Sequence, residues 1–260
     1  MKFETYLLCD ALKPYVKHFI ISENSDAKTY KVLPDTSLIM GFQYAGRLAH
    51  LKGESDDQLA TAGITGLMDS YRLFKNTADT NSVLVVFHET GAATFVQQPL
   101  HELFGESISL EHFFTEAELS ETEEKLAIAN DDRQRINVVE ELLLKHLQPV
   151  HDGLIGKAVV YIHQSRGTIR MTELARNLNT SQSPLEKRFR KIVGASPKKF
   201  SSIVRIKNVR SLLTQYNYQQ AAYLASYYDQ AHFIKDFKTF TGETPEQYVK
   251  TLPKPPGTVK

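Results

Sequence analysis

The sequence holds one cysteine, Cys9. That excludes an intramolecular disulfide framework and a cysteine-rich zinc site. A single thiol suits a reducing compartment. Long apolar runs are also missing. Val83-Leu84-Val85-Val86-Phe87 is among the longest, far short of the roughly 20 residues that a membrane span needs. The start, Met1 to Tyr6, lacks the layout of a signal peptide. Cytoplasmic localisation without a membrane partner is the expectation. Catalytic signatures are missing too. There is no G-x-S-x-G and no glycine-rich phosphate loop. His88-Glu89 and His101-Glu102 do not extend to H-E-x-x-H, so these histidines are expected at the surface or at caps rather than on a metal. No catalytic residue, metal or cofactor is expected.

Net charge is nearly absent as well, at +1 over 260 residues. The small sum hides a strong asymmetry. Residues 1–150 hold 13 lysines and arginines against 23 aspartates and glutamates, a net of −10. Residues 151–260 hold 18 against 7, a net of +11. Such a contrast suggests two domains and a polyanion as partner of the basic one. The composition, 42% hydrophobic and 23% charged, is that of a chain that can bury a core.

The acidic half reads mostly as β-structure over residues 1–114. Ser37 to Gly46 is an apolar run cut by glycines, and Val83 to Phe87 suits a buried strand. Leu12 to Phe19 fits either a short helix or a strand. Gly91–Gln98 and Leu100–Phe104 read as short helices. A small cupin-like barrel or sandwich is the expected fold. A helical linker follows over residues 115–150. Thr115 offers a cap with acids in the first turn. Asp131 to Leu147 carries an apolar stripe of Ile136, Val139, Leu143 and Leu147. That stripe packs on its own domain or forms a dimer seam.

The basic half contains a segment that is written twice. Phe189-Arg190-Lys191 to Gly194, Pro197 and Phe200 recurs as Phe237-Lys238-Thr239 to Gly242, Pro245 and Tyr248, 48 residues later. One supersecondary unit built twice explains such a repeat. Met171 to Leu178, with Thr172 as a candidate cap, reads as a helix. A polar turn, Asn179-Thr180-Ser181, leads into a basic helix from Gln182 to Val193. Helix, short turn and basic helix is the helix-turn-helix layout. A long helix from Pro197 to about Leu213 connects to the second unit. There Gln219 to Ala225, the turn Ser226-Tyr227-Tyr228, the cap Asp229 and the helix Gln230 to Phe240 repeat the layout. Ala175 corresponds to Ala222.

These residues resemble the C-terminal domain of the AraC/XylS family of bacterial transcription regulators. The match is densest at Tyr227-Tyr228-Asp229-Gln230-Ala231-His232-Phe233-Ile234-Lys235-Asp236-Phe237-Lys238, followed by Gly242, Thr244-Pro245 and Tyr248. The resemblance covers residues 153 to 250. It implies two helix-turn-helix motifs joined by a long helix, with reading helices in successive major grooves roughly 34 Å apart. The overall expectation is an α+β chain: a β-rich unit over 1–114, a linker over 115–150, the DNA-binding domain over 151–252 and a flexible tail over 253–260. Carried over by position, Ser183, Glu186 and Lys187 meet base edges in the first motif. Ala231, His232 and Lys235 do so in the second. Gln182, Arg190, Lys191, Gln230 and Lys238 are placed for phosphates. Two alternatives stay open in the first motif. Ser183 with Glu186 also fits a capping box, whereas a cap at Ser181 leaves Ser183 for DNA. The chain departs from the family with Ser226 in place of Gly and Lys235 in place of Arg. Ser226 is tolerable only if its φ is negative.

The function implied is a sequence-specific transcription regulator. Its partners are double-stranded DNA and RNA polymerase, with a small-molecule effector and a homodimer as further expectations. Tyr44, Tyr71 and Phe87 are candidate effector contacts, chosen only as aromatics in a β-rich region. The alternative is a DNA-repair protein or a small-molecule enzyme fused to a DNA-binding domain. The lone Cys9 speaks against alkyl-transfer chemistry.

Overall fold

The computed structural model describes residues 2–53, 55–227 and 229–252. The expected tail, 253–260, and Tyr228 of the second turn lie outside the described residues. The first part is built from strands β1 (Lys2–Tyr6), β2 (Val16–Asn24), β3 (Lys28–Val32), β4 (Ile39–Ala45), β5 (Leu48–Lys52), β6 (Ser55–Gln58), β7 (Ala62–Thr65), β8 (Arg72–Asn76), β9 (Thr80–Phe87) and β10 (Ser107–Ser109). Helices follow: α1 (Glu116–Ile128), α2 (Asp132–Lys145), α3 (Gly153–Gln164), α4 (Met171–Asn177), α5 (Gln182–Val193), α6 (Pro197–Leu212), α7 (Tyr218–Leu224), α8 (Gln230–Thr241) and α9 (Pro245–Thr251). A β-rich unit therefore precedes an all-helical domain.

The strands form two antiparallel sheets. One has the order β1-β2-β9-β4-β7-β10 and the other β3-β8-β5-β6. The six-stranded sheet is buried on one face by α1 and α2. Met40, Phe42, Val83 and Val85 point to that side and are at most 1% exposed. Ile39, Gly41 and Gln43 alternate with them and face the four-stranded sheet. Leu12 to Phe19 resolves into a turn followed by β2 from Val16, so the strand reading holds for its second half. The two expected short helices shrink to 3-10 turns, Ala92–Thr94 and Leu100–Leu103.

Side chains fix where the helices begin. Thr115 and Glu118 form a capping box at α1. Asp131 accepts from Gln134 N at 2.8 Å at the start of α2. The α2 stripe of Ile136, Val139 and Leu143 is fully buried within the chain. Packing at home therefore consumes the residues that the dimer-seam alternative required. Thr172 is not a cap: Arg170 holds the N-cap position of α4, without a side-chain bond.

One continuous core runs from the β-rich unit into the first helix-turn-helix motif. It joins Leu100, Phe95 and Val96 to Leu185, Phe189 and Phe200. The second motif has its own core of Ile203, Ile206, Val209, Ala222, Phe233 and Phe237 with their neighbours. Ion pairs also cross between the acidic and basic halves. Lys207 donates to Asp35 (2.9 Å), Lys199 to Asp69, and Lys31 to Glu243. His163 lies 3.2 Å from Glu89, which also accepts from Lys17 at 2.9 Å. Burial alone would raise the Glu89 carboxyl. Hydrogen bonds from His163 and Lys17 outweigh burial and hold it below the usual carboxylate range. Part of the basic charge read from the sequence is thus spent on the acidic half.

Candidate nucleic-acid interface

In α5, Leu185, Phe189, Ile192 and Val193 turn inward and are buried. The opposite side is exposed and basic. Ser183, Glu186, Lys187 and Arg190 follow the i, i+3, i+4, i+7 spacing of one helix face. They line a shallow surface concavity together with His101 of the β-rich unit. The three residues assigned to bases in this motif therefore share a face. Arg190, assigned to phosphate, borders the same face, 4.0 Å from Glu186. Gln182 and Lys191 are exposed at the start and on the flank. Arg188 is exposed but tied to the start of α3. It forms a two-pronged contact with Asp152, at 2.9 and 2.7 Å, and Asp152 also caps α3.

The start of α5 settles the alternatives left by the sequence. Ser181 occupies the N-cap position, although its hydroxyl makes no capping bond. Helix α5 begins at Gln182. The Ser183–Glu186 capping box does not form, so both side chains are exposed on the outer face.

In α8, Phe233, Phe237 and Phe240 turn inward. Gln230, Ala231, His232, Lys235 and Lys238 are exposed. Asp229 accepts from Ala231 N (3.0 Å) and His232 N (3.3 Å), which fixes the start of the helix. His232 also lies 3.5 Å from Asp236.

The two turns are built alike. Thr180 N donates to Ala175 O and Tyr227 N to Ala222 O, both at 3.0 Å. This pairing matches the correspondence of Ala175 with Ala222. Each turn has one residue in the left-handed region, Asn179 (φ 50°) and Ser226 (φ 56°). The second turn is one residue longer before its helix cap, Asp229 rather than Ser181. Ser226 therefore adopts the positive φ that the sequence reading required it to avoid. Asparagine tolerates this region, and serine does so at a cost. Ser226→Gly is expected to stabilise the second motif by about 0.5–1 kcal/mol, the relieved strain less the added freedom of the unfolded glycine. A urea melt of the variant checks this, and lower stability would contradict it.

Sequence reasoning missed the residue that holds the second turn. Arg205 of α6 donates to Ala225 O and Ser226 O, each at 3.0 Å. Its guanidinium lies 3.4 Å from the centre of the Tyr227 ring. Periodicity marks Arg205 only as a residue on the outer face of a helix. Periodicity places Lys199, Lys207 and Arg210 on that outer face as well. In the structure Lys199 and Lys207 bridge to the β-rich unit, and Arg210 donates to Tyr248 Oη at 3.1 Å.

A second concave feature lies between the two sheets, a cavity of about 160 Å³. The three aromatics chosen as effector contacts do not line it. Tyr44 donates to Glu23 and lies under Arg135. Tyr71 packs on Lys31 and at Gly242, where the two halves meet. Phe87 is core, beside Phe95. Gln43, Phe74 and Met68 are among the residues that do line it.

Comparison with known proteins adds the family context. Residues 174–251 match a family described as a helix-turn-helix domain. Residues 4–109 match one described as a domain of unknown function (DUF6597). A curated relative, the Msm operon regulatory protein of Streptococcus mutans, is 26% identical over 145 residues, 54% of this chain and 52% of that protein. The chain thus spans about half the length of that relative. Among solved structures, ToxT from Vibrio cholerae is 11% identical, with 97% of this chain and 99% of that one covered and a TM-score of 0.47. The C-terminal domain of AraT, a response regulator from Geobacillus stearothermophilus, is 25% identical over 39% of this chain and 87% of that one, with a TM-score of 0.37. Through its two helix-turn-helix motifs and the long helix between them, the C-terminal part of the chain is a helix-turn-helix domain of the AraC type.

Proposed function

We propose that the chain is a cytoplasmic, non-catalytic transcription regulator that reads a bipartite site on double-stranded DNA with α5 and α8, under the control of its β-rich unit. The observation that carries this reading is the pair of matching turns, Asn179 and Ser226, each aiming a helix with a buried aromatic side and an exposed polar and basic side. Ser183, Glu186 and Lys187 in α5, and Ala231, His232 and Lys235 in α8, are the proposed base contacts. Glu186 would accept from a cytosine amino group, and either lysine would donate to guanine. Gln182, Arg190, Lys191, Gln230 and Lys238 are the proposed phosphate contacts. The β-rich unit acts as the effector-sensing part, and the ion pairs at Asp35, Asp69 and Glu243 transmit its state to α6 and the second motif. RNA polymerase is the proposed partner of the DNA-bound form. A homodimer would use a surface other than the buried α2 stripe.

The test is anisotropy of the full chain on duplexes enriched from random DNA, over several salt concentrations. The full chain is needed because the first motif shares its core with the β-rich unit. A bipartite site with half-elements about ten base pairs apart is expected. Lys187→Ala is expected to relax preference at one or two base pairs and to cost roughly 1–3 kcal/mol on the preferred site. Arg190→Ala is expected to weaken all sequences alike and to lower the salt slope by about one unit. Equal losses on random and preferred DNA for Lys187→Ala would remove its base-reading role.

A further inference from the structure

We propose that the β-rich unit supplies a DNA contact of its own: His101 donates from Nε2 to a backbone phosphate that flanks the half-element met by α5. The proposal rests on the reading of α5 as a DNA-reading helix and extends its interface beyond the helical domain.

The turn that carries His101 is pinned to α5. Leu100 and Leu103, which bracket it, are at most 2% exposed and share one core with Leu185 and Phe189 of α5. At the far end of α5, a Cβ added to Gly194 would lie 3.2 Å from Leu100 O. Main chain and core therefore hold His101 beside the helix. It closes one side of a concavity whose other lining residues are Ser183, Glu186, Lys187 and Arg190 of α5.

This position selects phosphate over base. A helix with its side chains is about 10–12 Å across and fills a major groove about 12 Å wide. The base edges then lie under the helix's own side chains. An element packed on the flank of that helix faces the sugar–phosphate wall, and His101 is the lining residue that comes from such an element. Charge agrees with an anion there. Lys187 and Arg190 stand against Glu186, which lies 4.0 Å from Arg190. Glu102 follows His101 in the chain but does not line the concavity.

The ring is free to donate. Its Nδ1 is buried without a hydrogen-bond partner. Its Nε2 bonds to none of the described residues and is not among the buried unpaired atoms, so it is the nitrogen open to the surface. A neutral imidazole carries one donor and one acceptor nitrogen. Buried N–H groups are left orphaned more rarely than buried acceptors. The proton is accordingly assigned to Nε2, which presents a donor at the surface.

The experiment is anisotropy of the full chain, unaltered and with His101→Ala, His101→Gln or His101→Glu, on the enriched duplex and on random duplex. His101→Ala is expected to bind both about tenfold more weakly, through loss of one hydrogen bond to a charged acceptor. His101→Gln, which keeps a donor at similar reach, should recover most of that loss. His101→Glu sets a carboxylate against the phosphate and should lose at least as much as alanine. It carries the test if a urea melt shows the alanine variant to be unfolded. Ethylation interference locates the contact. Ethylating one phosphate beside the first half-element should weaken the unaltered chain and make no difference to His101→Ala. The proposal is overturned if the alanine and glutamate variants bind like the unaltered chain, if their loss is confined to one or two base pairs, if glutamine recovers nothing, or if the ethylation pattern does not change. An unaltered chain that binds no DNA specifically refutes the reading of α5 and this contact with it. Specific binding that is indifferent to His101 overturns this contact alone.

Discussion

Replacing Phe237 with alanine is expected to unfold the second helix-turn-helix motif while the β-rich unit and the first motif stay folded. Phe237 is 0% exposed and sits at the centre of the smaller core. Its ring packs on Phe233 (5.8 Å) and Tyr248 (5.3 Å). Removing a buried phenylalanine costs about 3–5 kcal/mol. A core of this size supplies little more than that, since whole domains are stable by only about 5–15 kcal/mol. The larger core does not depend on it, because Phe189, Phe200 and Leu185 belong to a separate cluster that runs into the β-rich unit. Hydrogen exchange is the measurement. Protection should vanish over residues 203–252 and persist in β2, β9 and α5. Phe189→Ala should do the reverse and weaken the β-rich unit as well. Uniform loss of protection in Phe237→Ala would show that the two cores unfold as one.

Arg205→Ala is expected to have the second largest effect, about 2–4 kcal/mol on the second motif, from two lost bonds by a charged donor and one lost cation–π contact. The guanidinium satisfies two carbonyls at the C-terminal end of α7 and covers Tyr227. It does so beside a serine held at positive φ, a conformation that persists only while its surroundings impose it. Arg205→Lys should recover little, because an ammonium cannot bond both carbonyls in a fixed fork and stack on the ring. Both variants should lose the second half-element of a bipartite site and keep the first. A urea melt together with anisotropy on the two half-elements tests this. A lysine variant as stable as the unaltered chain would mean that charge alone holds the turn.

The helical half was legible because its signals are local. Gly194 and Gly242 lie just past α5 and α8 at φ 92° and 79°, where only glycine fits without strain. Asp229 caps the helix that it was expected to cap. The inward and outward faces of α5 and α8 follow from period 3.6, so the exposure of Ser183, Lys187 and Lys235 could be read off the sequence. Thr172 misled because a capping residue type also occurs inside a first turn. Ser226 misled because a neighbour can impose a φ that the residue itself does not favour.

The β-rich half was legible as strands and hardly at all as a site. Alternation shows that Met40 and Phe42 face one way and Gly41 and Gln43 the other. It does not say which face meets helices and which meets another sheet. The aromatics Tyr44, Tyr71 and Phe87 were chosen by residue type, and each turned out to serve packing or a junction.

By itself, then, the sequence determined that a β-rich half precedes a helical one, the charge contrast of −10 and +11, the two repeated motifs and which of their residues face outward. These depend on caps, turns and periodicity within a dozen residues. Tertiary structure alone decided that Lys199 and Lys207 meet the acidic half, that Arg205 holds the second turn and that His101 borders the exposed face of α5. It alone placed a cavity beside Gln43. Those facts join residues from about 20 to more than 170 positions apart in the chain. Side-chain pairing over such separations is set by how whole elements pack, which no local pattern encodes.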